Sequence, residues 1–298
     1  MEKSYRIFLC LFFYFPVVFA GNMKLYYERP AEYFEEALVI GNGTMGATLY
    51  GGVKKDKISF NDITLWTGEP ESENSSPDAF NVIPEIRALL DNEDYQGADK
   101  AQYKVQGHYS ENYQPLGTLT IEYLDDTAGI SDYHRWLDIG NATARTQYLK
   151  DGKLFTSDYF ASAPDSVIVI RLKSENKEGI HASLSFDSPL PHSSQVADNE
   201  ISVEGYAAYH SFPVYYKAED KHRYDPERGI HFKTLVRVLS VDGSVKDRYS
   251  DSRIEIDGST EVLILIANVT SFNGFDKDPV KEGRNYRSHV EKRMKCAV

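Results

Sequence analysis

The carboxylates of this chain are the residues that could do chemistry. Asp62, Glu69, Asp78 and Asp165 are candidate acids or bases, and glycoside cleavage uses two carboxylates held at a defined separation across a sugar. Spacing along the chain does not define that separation. Each of the four residues also fits a turn-capping or solvent-exposed role. From these residues we therefore predict no catalytic group.

Other chemical signatures are weaker still. Residues 41–46 satisfy G-x-G-x-x-G, but dinucleotide binding needs a strand before that motif and a helix after it. Here a Glu-rich, helix-like stretch precedes the motif and the strand-like residues 47–50 follow, which favours a tight entry into a β-strand. The sequence contains no H-E-x-x-H, no G-x-S-x-G and no Walker A lysine. We expect no metal and no cofactor.

The charge balance narrows the possible partners. The 298 residues include 33 Lys and Arg against 45 Asp and Glu, for a formal net charge of -12. An acidic surface repels phosphate backbones and anionic lipids. We therefore expect neither nucleic acid nor a membrane as partner, and a neutral substrate is more natural.

The N-terminus has the features of a secretory signal. Lys3 and Arg6 precede the apolar residues 7–19, and a small-residue site ends at Ala20. A membrane anchor is the alternative, but this apolar run contains Pro16 and is shorter than the roughly 20 residues that a spanning helix needs. We predict a signal peptide over 1–20 and a secreted or periplasmic protein. Four N-glycosylation sequons matter only in a eukaryotic pathway and begin at Asn42, Asn74, Asn141 and Asn268.

The elements that must position any site are predominantly strands. Short β-like runs separated by turn signals occur at 119–123, 142–149, 155–161, 167–172, 182–186, 201–203, 230–239 and 262–269. Because helices do not alternate with them, a sandwich or barrel is favoured over a doubly wound parallel sheet. A helical insertion is predicted at 77–105. Residues 282–295 read as a charged helix with little apolar face, and we expect no partner for it within the chain.

An ordered set of segments identifies the family. The set begins with residues 25–31, 35–43 and 61–68, the last reading Asn-Asp-Ile-Thr-Leu-Trp-Thr-Gly. It continues through residues 113–117, 133–138, 160–165 and 270–274. In this order the segments resemble the N-terminal domain of glycoside hydrolase family 95, the secreted α-L-fucosidases.

The resemblance implies a fold and a missing partner. It implies an all-β chain with a helical insertion: a large antiparallel β-sandwich over 23–278, followed by the truncated start of a linker helix over 282–298. In that family an (α/α) barrel carries the active site, where a Glu acts as general acid and an Asp activates water for inverting hydrolysis of terminal α-L-fucosides. No position here matches those residues, so we expect the chain alone to be inactive and its partner to be that barrel, through which a fucosylated glycan binds.

Two classes of function remain open from the sequence. The chain is either the sandwich portion of an α-L-fucosidase or a stand-alone carbohydrate-binding or structural module. Loops at the end of a rigid sandwich commonly contact a neighbouring domain or substrate, which makes interface or substrate-rim candidates of Asn61, Asp62, Trp66, Tyr113 and Gln114. The alternative for these residues is that Trp66 belongs to the core while Asn61 and Asp62 cap a turn.

Overall fold

The computed structural model describes residues 23–71, 78–107 and 110–297. The predicted signal peptide and the sequon at Asn74 lie outside the described residues.

The described part of the chain is built mainly of strands. The first nine are β1 Lys24–Tyr27, β2 Leu38–Gly41, β3 Met45–Leu49, β4 Lys55–Asp62, β5 Gly117–Tyr123, β6 Ile130–Asp138, β7 Thr143–Lys150, β8 Lys153–Ser162 and β9 Val167–Ser174. The others are β10 Ile180–Asp187, β11 His192–Ala197, β12 Glu200–Tyr206, β13 His210–Ser211, β14 His222–Arg223, β15 His231–Ser240, β16 Ser244–Arg248, β17 Arg253–Ser259 and β18 Glu261–Thr270. The helices are α1 Ala79–Asp91, α2 Tyr95–Gln102 and α3 Tyr286–Cys296, with single 3-10 turns at Phe34–Glu36 and Tyr103–Val105.

Two large antiparallel sheets face one another. The first has nine strands in the order β1-β6-β7-β8-β9-β18-β15-β12-β11, and the second has seven in the order β16-β17-β10-β5-β4-β3-β2. Alternate residues of each strand point into the space between them, so Ile58 and Ile121 of one sheet share a core with Ile170 and Ile264 of the other. The predicted antiparallel β-sandwich with a helical insertion between β4 and β5 is confirmed.

The glycine motif joins two strands. Its first glycine ends β2, and β3 begins at Met45, so the motif forms the turn of an antiparallel hairpin. The prediction of a helix-like stretch before the motif is wrong, except for one 3-10 turn. β2 occupies that position instead, because Leu38 and Ile40 point into the core and the strand pairs with β3. Since a strand follows the glycines, the motif presents no helix N-terminus to a phosphate.

A buried arginine holds distant segments together. Arg135 in β6 donates from Nε to the carbonyl of Arg29 at 2.8 Å and from a terminal nitrogen to the carbonyl of Glu36 at 2.9 Å. Its guanidinium lies 4.2 Å from the centre of the Tyr27 ring, and burial lowers its pKa. One side chain thus connects three of the segments by which the family is recognised.

The C-terminal helix differs from expectation. It begins at Tyr286, after Asn285 accepts a hydrogen bond from the Ser288 amide, rather than at residue 282. Tyr286, Val290 and Met294 recur every four residues and are buried against the outer face of β9, β15 and β18. The expectation that this helix lacks a partner is wrong, because even a narrow apolar stripe suffices where a sheet presents Leu235, Leu265, Ala267 and Val269 to it.

We expect Val290→Ala to lower the free energy of unfolding by about 2 kcal/mol, because the substitution leaves a cavity under a fully buried side chain. Urea denaturation of the purified chain measures this difference. Lys292→Ala on the exposed side of the same helix is the matched control and should be nearly neutral. Equal stabilities of the two variants would show that α3 is not docked in solution.

Candidate functional site

The loop after β4 is anchored by one carboxylate. Oδ1 of Asp62 accepts hydrogen bonds from the amide of Thr64 at 2.9 Å and from its hydroxyl at 2.6 Å. Oδ2 accepts from Nδ2 of Asn268 at 2.8 Å. Asp62 is buried, so it caps the turn and also ties the seven-stranded sheet to the nine-stranded sheet.

Further hydrogen bonds of Asn268 connect this pair to the nine-stranded sheet and to α3. Oδ1 of Asn268 accepts from the Thr234 hydroxyl at 2.8 Å, and the carbonyl of Asn268 accepts from Arg293 at 2.8 Å. Burial lowers the pKa of the Arg293 guanidinium, and the Asp62 carboxylate acts in the opposite direction. The loop and the C-terminal helix are therefore held by one polar network.

The same network removes one glycosylation sequon from solvent. Asn268 is fully buried and both ends of its amide are hydrogen-bonded. An oligosaccharide cannot be attached to that nitrogen in the folded protein. Asn141, by contrast, lies on an exposed turn.

Two aromatic side chains form a ridge at this end of the sandwich. Trp66 and Tyr113 pair in an isolated antiparallel bridge and remain 43% and 44% exposed. The amide of Gln114 donates to the carbonyl of Leu65 at 3.0 Å, and the indole nitrogen of Trp66 donates to the carbonyl of Ile63 at 3.0 Å. We call this pair the Trp66–Tyr113 ridge.

The structure divides the five predicted site residues into two kinds. Trp66 and Tyr113 present their rings to solvent, so the alternative that Trp66 belongs to the core does not hold. Asp62 and Gln114 are buried and support the loops that carry the rings. Asn61 is half-buried on the outer face of β4, opposite Gly46.

Glu111 lies at the base of the ridge, and sequence reasoning missed it. Its carboxylate accepts hydrogen bonds from the Thr67 hydroxyl, from the Ser211 amide at 3.1 Å and from Nδ1 of His210 at 2.8 Å. It joins the Trp66 loop to the hairpin of β13 and β14. One indication of it is present in the sequence: Glu111 lies two residues before Tyr113, which begins the family segment 113–117.

A cavity of about 340 Å³ opens on the Trp66 side of the ridge. Its walls include Trp66, Phe272 and Phe275, with the carboxylates of Glu69 and Glu111 and the amine of Lys277. Glu69 forms a two-bond ion pair with Arg228, whose guanidinium lies 3.6 Å from the Tyr209 ring centre and whose pKa is raised by the Glu69 hydrogen bond.

This cavity is better suited to binding than to acid-base chemistry. Glu69 is held by its two-bond ion pair with Arg228 and Glu111 by three hydrogen bonds, so neither carboxylate is free to approach the reacting atoms of a substrate. Asp165 bonds Ser162 at 2.6 Å and sits elsewhere on a turn. Within residues 23–71, 78–107 and 110–297, no group of three or more His, Cys, Asp and Glu could hold a metal ion.

One strongly shifted carboxyl lies in the core instead. Asp56, on the inward face of β4, accepts from the Tyr159 hydroxyl at 2.8 Å and from the Gly52 amide at 2.9 Å. Burial raises its pKa from 3.8 to about 6. It is packed among Tyr159, Tyr123 and Tyr148, so it belongs to the sandwich interior and not to the ridge.

None of the helices that the structure describes is long and apolar enough to cross a membrane.

Comparison with known proteins gives concordant matches. The family model described as glycosyl hydrolase family 65, N-terminal domain, matches residues 25–274. The chain is 29% identical over 284 residues to "Alpha-L-fucosidase 2" of Arabidopsis thaliana, covering 91% of this chain and 34% of that protein. It is 28% identical over 273 residues to "Probable alpha-fucosidase A" of Aspergillus niger, covering 85% and 31%. The chain thus spans about a third of the length of these curated relatives.

Proposed function

We propose a function from the premise that this chain belongs to the family of glycosyl hydrolase family 65 N-terminal domains. It is an N-terminal β-sandwich domain of that glycoside hydrolase group, as the ordered segments predicted. The proposal is that it serves a secreted α-L-fucosidase that hydrolyses terminal α-L-fucosides with inversion, the catalytic groups belonging to a separate (α/α) barrel domain. The names of the curated relatives support the fucosidase assignment.

The ridge is the observation that carries the proposal. A large aromatic side chain that stays half in water on a firmly held loop is typical of the centre of an interface. Trp66 and Tyr113 meet this description, since Asp62 and Glu111 hold their loops from beneath. We propose that the barrel docks on the ridge and on the adjoining 340 Å³ cavity, which places both rings at the substrate rim or the domain interface.

We expect Trp66→Ala and Tyr113→Ala each to weaken association with a separately expressed barrel domain by about 2 kcal/mol, roughly thirtyfold. The melting temperature of the isolated chain should change little, because both rings are exposed. Titration calorimetry measures the association and thermal denaturation measures the fold.

Tyr249→Ala is the matched control, since Tyr249 is an exposed aromatic residue outside the ridge. A loss of about 3 kcal/mol or more in the stability of isolated Trp66→Ala would place the ring in the core and contradict the proposal. The proposal would also be contradicted if both ridge variants bound the barrel domain with the affinity of the wild-type chain.

The proposal that the catalytic groups belong to the barrel domain can be tested separately. We expect the isolated chain to release no product from an aryl α-L-fucoside and the barrel domain to restore turnover. Turnover at an ordinary glycosidase rate by this chain alone, abolished by substituting Glu69 or Glu111, would show that the sandwich carries its own active site. Stable binding of saccharide with no association to any barrel would favour the stand-alone module.

A further inference from the structure

A second and larger depression lies on the other side of the ridge. It occupies about 650 Å³ on the outer face of the seven-stranded sheet. We call it the outer groove, and its lining includes Phe34, Val39, Gly46, Thr48, Ser59, Asn61, Tyr113 and Thr118. This volume falls in the range of small-molecule sites, which is about 300–1,000 Å³.

Strand register builds the floor of the groove. Thr48 of β3 stands opposite Ser59 of β4, and Ser59 stands opposite Thr118 of β5. Neighbouring strands are about 4.8 Å apart, so these hydroxyl side chains form a row across three strands. The hydroxyls of Ser59 and Thr118 bond each other at 3.0 Å.

Two polar atoms on this floor have no hydrogen-bond partner among the described residues. Oγ1 of Thr48 and Oδ1 of Asn61 are buried and make no hydrogen bond to any residue that the structure describes. Buried polar groups are nearly always hydrogen-bonded in folded proteins, because leaving one unpaired is unfavourable. The two atoms expose almost no surface as they stand, but Thr48 and Asn61 are half-buried residues that line the groove. A rotation of either side chain brings its polar atom to the floor, where a ligand hydroxyl can pair with it.

The walls define the remaining chemistry. Phe34, 62% exposed, and Tyr113 provide aromatic surface at the rim. Among the residues that the structure describes, no charged side chain lines the groove, although the chain as a whole carries a net charge of -12. Aromatic walls suit the C–H faces of a sugar ring, and an uncharged floor of hydroxyls and an amide suits its hydroxyl groups.

We propose that the outer groove binds a neutral saccharide. Thr48 and Asn61 hydrogen-bond its hydroxyls, and Phe34 and Tyr113 contact its C–H faces. The proposal does not depend on the fucosidase assignment, and only the choice of a fucosylated probe rests on it.

Gly46 allows the groove to be filled without disturbing the sheet. A Cβ built at Gly46 meets only the Ile40 carbonyl, at an ordinary distance of 3.5 Å. Gly46 pairs with Gly41 in the last pair of the β2–β3 hairpin and with Asn61 of β4. Its backbone is extended and not in the left-handed region, so valine is a favourable residue there. Gly46→Val therefore places two methyl groups in the groove and leaves the fold intact.

The test is a ligand-observed NMR titration of the full chain with fucosyllactose, lactose and anionic sialyllactose. We expect fucosyllactose or lactose to bind with a Kd of about 1 mM or below, and sialyllactose to bind more weakly. Thr48→Val should weaken binding about fivefold because one hydrogen bond is lost, without reducing stability. Gly46→Val should weaken binding by about tenfold or more.

Thr120→Val is the matched control, because Thr120 lies on the same face of β5 but outside the groove. It should leave affinity within about twofold. Absence of saturable binding of both neutral saccharides to the wild-type chain overturns the inference while leaving barrel docking untouched. Binding that survives both groove variants overturns it as well. Self-association abolished by Gly46→Val, without saccharide binding, would assign the groove to a second copy instead.

Discussion

Asp62→Ala will lower the free energy of unfolding by about 4 kcal/mol. The substitution leaves the amide of Thr64 and the side-chain amide of Asn268 without their acceptor, whereas the Thr64 hydroxyl keeps the Thr270 hydroxyl as a partner. Each buried donor without a partner costs about 1–3 kcal/mol, and Asp62 is buried. Urea denaturation at neutral pH measures the loss.

Two variants give this prediction its controls. Asp62→Asn keeps one oxygen for Thr64 and should lose about half as much stability. Combining Asp62→Ala with Asn268→Ala should cost less than the sum of the single losses by about 1–2 kcal/mol, because the two side chains share a hydrogen bond. Strict additivity would show that the two sheets are not joined through this pair.

The stability of the wild-type chain will fall by about 2 kcal/mol between pH 4 and pH 7 through Asp56 alone. Burial raises the folded-state pKa of Asp56 from 3.8 to about 6, so the folded protein holds this proton more tightly than the unfolded chain does. The favourable contribution is complete only at pH values well below the unfolded-state pKa of 3.8, and it is lost as the pH rises through the folded-state pKa of about 6.

Asp56→Asn isolates this contribution, because asparagine does not ionise and the other titrating groups are the same in both proteins. The variant should gain about 2 kcal/mol relative to wild type on going from pH 4 to pH 8, measured as the difference between two series of urea unfolding curves. Asp91→Asn, at an exposed position, should show no such gain. A difference that stays constant with pH would show that Asp56 is not the buried acid described here.

Part of the site was predictable and part was not. The exposure of the Trp66 and Tyr113 rings could be predicted, because loop residues at the end of a sandwich commonly lie at the surface; their place at an interface stays a prediction. That Asp62 and Gln114 would be buried beneath those rings could not be predicted, because burial depends on which strands come to lie opposite. Glu111 escaped notice for the same reason, since its partner His210 lies 99 residues away along the chain.

The sequence alone determined the local elements and the family. Alternation of apolar side chains predicts a strand from its own residues, and the eight predicted runs coincide with strands from β5 to β18. The runs did not include β6, β11, β13, β14, β16 and β17. β6 has the charged Arg135 at an inward-facing position, and β17 contains Asp257-Gly258, a pair typical of turns. An ordered set of short segments sufficed for the family because their order is itself a property of the chain.

Only the tertiary structure decided what those elements contact. β18 pairs with β9 and β15, which precede it by tens of residues, and thereby brings Asn268 to Asp62. α3 packs on the outer face of the same strand. Its apolar stripe is so narrow that the sequence did not predict this contact. The unpaired atoms of Thr48 and Asn61 are likewise visible only once register and burial are known. The physical reason is that hydrogen bonding and burial are properties of pairs of residues, and those pairs are formed when the sheets assemble.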